Sequence, residues 1–336
     1  MKQVLFTILS LLITFSGVHG QRLIAVQNGG APTFYTNLDS AIQDAQAGDT
    51  VYIPGYFHNV DTFFIEKPLI LVGVGHDPDS TLAYGINTEI SAITVLKSDS
   101  VTLIGMLFDS PIYLGTNTQA IQKIKIQSCR TEAINYGNSA TQEVVIINSV
   151  IKNLVGLGNE NCRVFNSIID NGAQNFSNGT VFQNNFFLQT SLYYLNSMNN
   201  CTFSNNVILN IQTGINNQGN VFFNNLKFGS FTGISSDNVF YNNEIFGGTF
   251  SVVKDTIFAD IGNGQLFAYD RDYNLISSLG KNGGSDGTDI GIYGGPFPWK
   301  DGSIPFHPHI QQKVISPVTD SLGRLPIQIR VRAQNY

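Results

Sequence analysis

The sequence predicts an all-β chain wound as a parallel β-helix, a solenoid of roughly 11 to 12 coils. One observation is a phrase that repeats: Ile146-Ile147-Asn148-Ser149, Val164-Phe165-Asn166-Ser167, Phe182-Gln183-Asn184-Asn185, Phe203-Ser204-Asn205-Asn206, Phe222-Phe223-Asn224-Asn225 and Phe240-Tyr241-Asn242-Asn243. Its leading Asn recurs at spacings of 18, 18, 21, 19 and 18 residues, too short for a helical hairpin and too even for a sandwich. The second observation is alternation. Ile146, Val164, Phe182, Phe203, Phe222 and Phe240 stand two before the Asn, and Val150, Ile168, Phe186, Val207, Leu226 and Glu244 two after it. Apolar residues alternating on both sides of a fixed polar residue read as strand, tight turn and strand.

Stacked coils set each strand beside its copy at about 4.8 Å, so like side chains form ladders. Asn suits the turn because it tolerates left-handed backbone angles and can donate to one rung while accepting from another. Of the 96 residues from 148 to 243, 24 are Asn, a density that an internal amide ladder needs and a solvated loop does not.

At the start, Lys2 and the apolar run Val4 to Phe15 predict that residues 1–20 are a secretory signal peptide, with the exported chain beginning near Gln21. The β-helix and its N-terminal cap are expected over 21–260, and an irregular C-terminal cap of the same domain over 261–336. No later run is long and apolar enough to suggest a membrane span. A net charge of −6 without clustered Lys and Arg argues against a nucleic-acid partner. Cys129, Cys162 and Cys201 are odd in number, and the last two lie two rungs apart, beyond disulfide reach; three buried thiols are expected.

Leu38, Ala41, Ile42 and Ala45 share one face of a short helix that Thr36 or Asn37 can cap and Gly48 can end. Asp49-Thr50-Val51-Tyr52-Ile53-Pro54-Gly55 then reads as the first coil strand and turn, and Lys67-Pro68-Leu69-Ile70-Leu71-Val72-Gly73 as the next. Here the chain closely resembles the opening of right-handed parallel β-helix proteins of the pectin-lyase-like superfamily, in which such a helix covers the first rung. The resemblance runs, with gaps, from about Leu38 to Ile257. The stretch from Asp289 to Gly295 and the alternating Leu325–Ala333 are similar to the tail of uncharacterised exported β-helix proteins of Bacteroidota. The latter is expected to pack as a one-sided strand across the last coil.

That superfamily includes lyases, hydrolases and silent binding proteins, so function has to be argued from side chains. A lyase needs a base and a cation beside a uronate carboxylate, and a hydrolase needs paired carboxylates. The middle coils hold few charges. Lys152 and Asp170 each stand four after their Asn, 18 residues apart, and form either a rung-to-rung ion pair or part of a site with Arg130, Glu132 and Arg163. Tyr193 and Tyr194 are candidates for stacking on a sugar face. Asp286 and Asp289, set among glycines, are the candidate calcium ligands, against a plain polar turn; no other cofactor is expected. The sparse charge favours a non-catalytic exported β-helix that binds polysaccharide or another cell-surface component, or serves as a structural surface module. The alternative is a polysaccharide lyase or glycoside hydrolase built on the five charged residues. Export leaves periplasm, cell surface and exterior all open as its destination.

Overall fold

A computed structural model describes residues 22–332 apart from 82–85, 189–194, 210–216, 229–236, 247–249, 265 and 303–308. The chain is a parallel β-helix. Two long sheets face each other across one core, and each coil contributes a strand to both. In the first sheet ten strands, from Thr50–Tyr52 to Val239–Tyr241, run parallel in chain order, preceded by the antiparallel pair Ile24–Gln27 and Thr33–Tyr35. These ten are fewer than the 11 to 12 coils expected, because Phe250–Ile257 forms a helix and not a further rung, and the strand Ile93–Leu96 belongs to the second sheet rather than to a coil of its own.

The repeated phrase sets the register. Val51, Leu71, Leu103, Ile126, Ile146, Val164, Phe182, Phe203, Phe222 and Phe240 pair successively in one inward column. Its last four rings stack nearly flat, with centroids 4.9, 4.6 and 5.0 Å apart. A rung spacing fixed by backbone hydrogen bonds thus holds identical aromatic rings at contact distance.

The two asparagines of the phrase divide the work. The first takes the left-handed turn: Asn148, Asn166, Asn184, Asn205, Asn224 and Asn242 have φ between 47° and 56°. The second forms the ladder. The Asn185 backbone N–H donates to Asn206 Oδ1 at 2.8 Å, Asn206 to Asn225 at 2.9 Å, and Asn225 to Asn243 at 3.0 Å. Ser149 and Ser167 continue it upstream through their hydroxyls. A parallel ladder runs through Asn220 and Asn238 on another corner. Each rung therefore satisfies a buried N–H that the turn leaves without a strand partner.

At the N-terminal end, the helix Leu38–Asp44 buries Leu38, Ala41 and Ile42 over the first rung, and the Asn37 side chain accepts from Ser40 N–H as its cap. Lys67 reaches its last turn, donating to the carbonyls of Gln43 at 2.5 Å and Ala45 at 2.7 Å, where orphan carbonyls and the helix dipole both favour a cation. Cys129, Cys162 and Cys201 are all buried and unbridged, and burial pushes the first up to about 12.

The irregular C-terminal segment turns back along the flank of the β-helix. Asn205 bonds Ser285, Asn184 donates to Asp289 and Gly291 carbonyls, and Asn166 donates to those of Ile292 and Gly294, so the segment descends one rung at a time. Gly295, at φ 71°, lies where a Cβ would meet Asn184 Oδ1 at 2.5 Å, which is why glycine stands there. This strap covers a second apolar cluster on the outside of the second sheet: Val150, Ile168, Phe186, Val207 and Leu226 pack against Phe258, Tyr273, Leu275, Ile290 and Ile292. The strand expected to cross the last coil does otherwise. Ile327–Arg332 pairs antiparallel with His309–Ile315 in a hairpin whose described side chains are exposed.

Candidate functional site

The second sheet's outward column four residues after the turn carries the charge. Thr131 pairs with Ile151 and Ile151 with Ile169, which sets Glu132, Lys152 and Asp170 side by side on consecutive rungs. Phe108 pairs with Thr131, adding Asp109 to the same column. Arg130 and Glu89 stand two positions earlier on their strands and share its face. Of the five charged candidates, Arg130, Glu132, Lys152 and Asp170 are thus brought together. Arg163 is not: it lies on the first sheet, paired with Val145 and Val181.

Within the cluster the charges are already engaged. Lys152 Nζ donates to Glu132 Oε2 at 2.6 Å, so the rung-to-rung pair runs to the preceding coil. Asp170 accepts the Phe267 N–H of the strap at 3.2 Å and is buried. Burial raises its carboxyl to about 6, against the lowering pull of that N–H, Arg130 and Lys152. The Arg130 guanidinium sits over two strap rings, 5.5 Å from the centroid of Phe267 and 5.2 Å from that of Tyr269. Flat delocalised cations are suited to such stacking.

Tyr269 also fastens His76. Its hydroxyl donates to the His76 carbonyl at 2.8 Å and lies 2.9 Å from Nδ1. With the hydroxyl proton committed, Nδ1 carries the ring proton. Burial first, then the Arg130 charge, drops His76 to about 3, so the ring is neutral. Its Nε2 is buried without a hydrogen-bond partner among the described residues. At the other end of the face, Glu89 is raised to about 7 by burial and by the hydrogen bond and charge of Asp109.

The first sheet presents a different feature. Lys123, Lys125 and Arg163 surround a shallow concavity on its outer face, with Glu143, Val145 and Asn161 between them. Lys125 and Arg163 flank Val145 on successive rungs, two rung spacings or about 10 Å apart. Partial burial lowers the Lys125 ammonium below its ordinary value.

No family model matches the chain. Over 82 residues it is 33% identical to the F-box protein SKIP5 of Arabidopsis thaliana, an alignment spanning 23% of this chain and 30% of that protein. So short an overlap establishes no family.

The remaining candidates are placed as follows. Asp286 Oδ1 accepts from Thr288 N–H at 3.0 Å and from its hydroxyl at 2.7 Å, and Asp289 Oδ1 accepts from Asn282 N–H at 2.8 Å. Both carboxylates shape the strap loop that rests on Asn184 and Asn205. Tyr193 and Tyr194 lie outside the described residues. Sequence reasoning missed His76, Glu89, Asp109, Phe267 and Tyr269. Asp109 had a signal: Gly105 and Ser128, at φ 65° and 50°, hold the turn position upstream of Asn148, so extending the register reaches it. The strap residues had none, because their contacts are more than 90 positions distant in sequence.

Proposed function

We propose that this is an exported, non-catalytic β-helix that binds an anionic glycan or a comparable surface component on the outer face of its first sheet. One observation carries the reading. The strap occupies the charged face of the second sheet, taking up Asp170 with a backbone N–H and Arg130 with two rings, while Lys123, Lys125 and Arg163 stay on an uncovered concavity. Lys125 and Arg163, about 10 Å apart along a rigid axis, suit two successive anionic groups of one chain, to each of which they add a charge-assisted hydrogen bond. Export rests on Lys2 and the Val4–Phe15 run, and kinship with the pectin-lyase-like superfamily on the capping helix and the Asp49-Thr50-Val51 opening. The C-terminal cap region of 261–336 is part of the same proposal, serving to seal the flank.

A glycan panel on the purified protein, read for binding and for new unsaturated or reducing ends, tests this. Uronate-bearing or sulfated chains are expected to bind without product, and Lys125→Ala with Arg163→Ala to weaken them more than tenfold. Binding confined to neutral glycans, or untouched by those substitutions, refutes the reading.

A second reading, glycoside hydrolysis, is favoured by Glu89. A carboxyl held at about 7 beside a carboxylate is suited to act as a general acid. Product formation abolished by Glu89→Gln would establish it in place of the first.

A further inference from the structure

The turn that leads into each strand of the first sheet holds one residue in the left-handed region. Counting back two from the paired outward residues of successive strands gives the column Lys123, Glu143, Asn161, Gly179, Asn200 and Gly219, with φ between 51° and 78°. Asn and Gly adopt this conformation at little cost, and Lys and Glu do not. Two charged residues therefore stand at the concavity of Lys125 and Arg163 where the same corner further along takes Asn or Gly, and backbone preference does not account for them.

An ion pair between Lys123 and Glu143, neighbours on consecutive rungs, would be a structural reason for their presence. None forms. Among the described residues Lys123, Lys125, Glu143 and Arg163 take part in no ion pair, and Lys123 and Glu143 are exposed.

Along the axis these charges alternate in sign. Lys123 and Lys125 share one rung, Glu143 and Val145 the next, and Asn161 and Arg163 the third. Val145 and the buried Ile124 give the concavity, of about 570 Å³, an apolar floor. An extended chain of pyranoses advances by about one rung spacing per sugar, so three successive sugars match the three rungs. The outer two meet cations. The middle one lies with its C–H face on Val145 and its substituents beside Glu143, a carboxylate that accepts from hydroxyl or amide N–H groups and repels a second anion.

We propose that Glu143 makes this concavity selective for a polysaccharide with an anionic group on every second sugar and an uncharged, hydrogen-bond-donating sugar between, over a polyanion charged at every sugar. The inference rests on the reading of the concavity as an anionic-glycan site and names its ligand class. In a chain charged at every sugar the middle anion falls against Glu143, and the repulsion offsets part of what Lys125 and Arg163 contribute. In the alternating chain the same carboxylate gains hydrogen bonds. The unfavourable backbone at Glu143 is tolerated because the position discriminates.

Calorimetric titration of the purified protein, at one ionic strength, with hyaluronan oligosaccharides, which alternate uronate with N-acetylhexosamine, and with oligogalacturonates of the same length tests this. The alternating chain is expected to bind about tenfold more tightly, and Glu143→Gln to bring the two affinities within about threefold of each other. Equal binding of the two chains by the wild type, a preference for oligogalacturonate, or a preference that survives Glu143→Gln overturns this inference and leaves the anionic-glycan reading standing. Binding of neither chain overturns the inference and, when sulfated chains fail as well, that reading with it. Glu143→Asn supplies a second readout. Asn suits the left-handed turn, as Asn161 does on the next rung, so this variant should unfold at a higher urea concentration than the wild type while losing the preference. A lower midpoint would show that Glu143 serves the fold, and would reject its selecting role.

Discussion

The two outer faces of the β-helix begin from the same backbone and end differently. On the first sheet one outward column stays open: Ile70 at one end and Val239 at the other are exposed, with Lys125 and Arg163 between, whereas the column beside the turn is buried at Val72, Ile104, Gln127, Ile147 and Ser204 and open at its ends, Tyr52 and Tyr241. On the second sheet the equivalent column of Val150, Ile168, Phe186, Val207 and Leu226 is as buried as the core. Strand alternation dictates that these residues point outward, away from the inward Ile151, Ile169, Phe187 and Ile208. Apolar residues on both faces of a strand therefore report a second covering layer, as in any sheet buried on both sides. The strap is that layer. It makes the second face structural and leaves the Lys125 and Arg163 column of the first for contact with something else.

The largest expected effect contrasts the two faces directly. Phe186→Ala removes a ring packed against Phe258 and Tyr273, with centroids 5.4 and 5.2 Å away. Although it points out of the β-helix, it should cost about 3–5 kcal/mol, as a core aromatic does. Tyr52→Ala, outward on the bare face, should change stability by no more than about 0.5 kcal/mol. Urea unfolding of both variants checks this. Equal small losses would mean that the strap does not bear on the second sheet.

Next comes the acid under the strap. Asp170 has its folded carboxyl raised from 3.8 to about 6, so folding favours its protonated form. The contribution is full below about pH 4 and is lost as pH rises through 6, amounting to at most about 3 kcal/mol at 1.36 kcal/mol per unit. Glu89 has the same sign up to about pH 7, so the comparison must be with a variant. Asp170→Asn, which can still accept the Phe267 N–H, should flatten the slope between pH 4 and 6 relative to wild type. Parallel pH profiles for the two proteins would show that Asp170 is solvated and the strap loose at that point.

Much of this architecture could be read from spacing. The inward ladder from Ile146 to Phe240, the turn position of Asn148 to Asn242 and the Asn37-capped helix all follow from local rules that repeat. The outward column was visible too, but its meaning was not. Val150 to Leu226 are apolar because of partners more than 30 residues later, in a segment with no period of its own. Lys227 shows the same limit from the other side: it pairs between Ile208 and Ile245 in an inward column, buried, and burial lowers its ammonium to about 8. Nothing in its neighbours marks it as an exception. At the candidate site, the grouping of Glu132, Lys152 and Asp170 followed from the register, but their electrostatics depend on Phe267 and Tyr269, which no repeat specifies.

Arg130→Ala should fall between these extremes, at about 1–2 kcal/mol, since it loses two ring contacts in a partly desolvated setting. Lys152→Ala is the smallest effect and the sharpest test of how far the cover extends. Its ammonium and the Glu132 carboxylate are 43% and 47% exposed, so water screens the pair even at 2.6 Å. An exposed pair of this kind contributes about 0–1 kcal/mol. Asp170, one rung on, loses a favourable cation when Lys152 goes, so its carboxyl should shift further upward. The expected outcome is thus a change below about 0.5 kcal/mol at pH 4, where Asp170 is protonated, and a somewhat larger loss at pH 7, where it is ionised. Denaturant titrations at the two pH values resolve the difference. A loss of the same size at both would place Lys152 in the packing of the strap, and the covered face would extend one rung further than the buried column indicates.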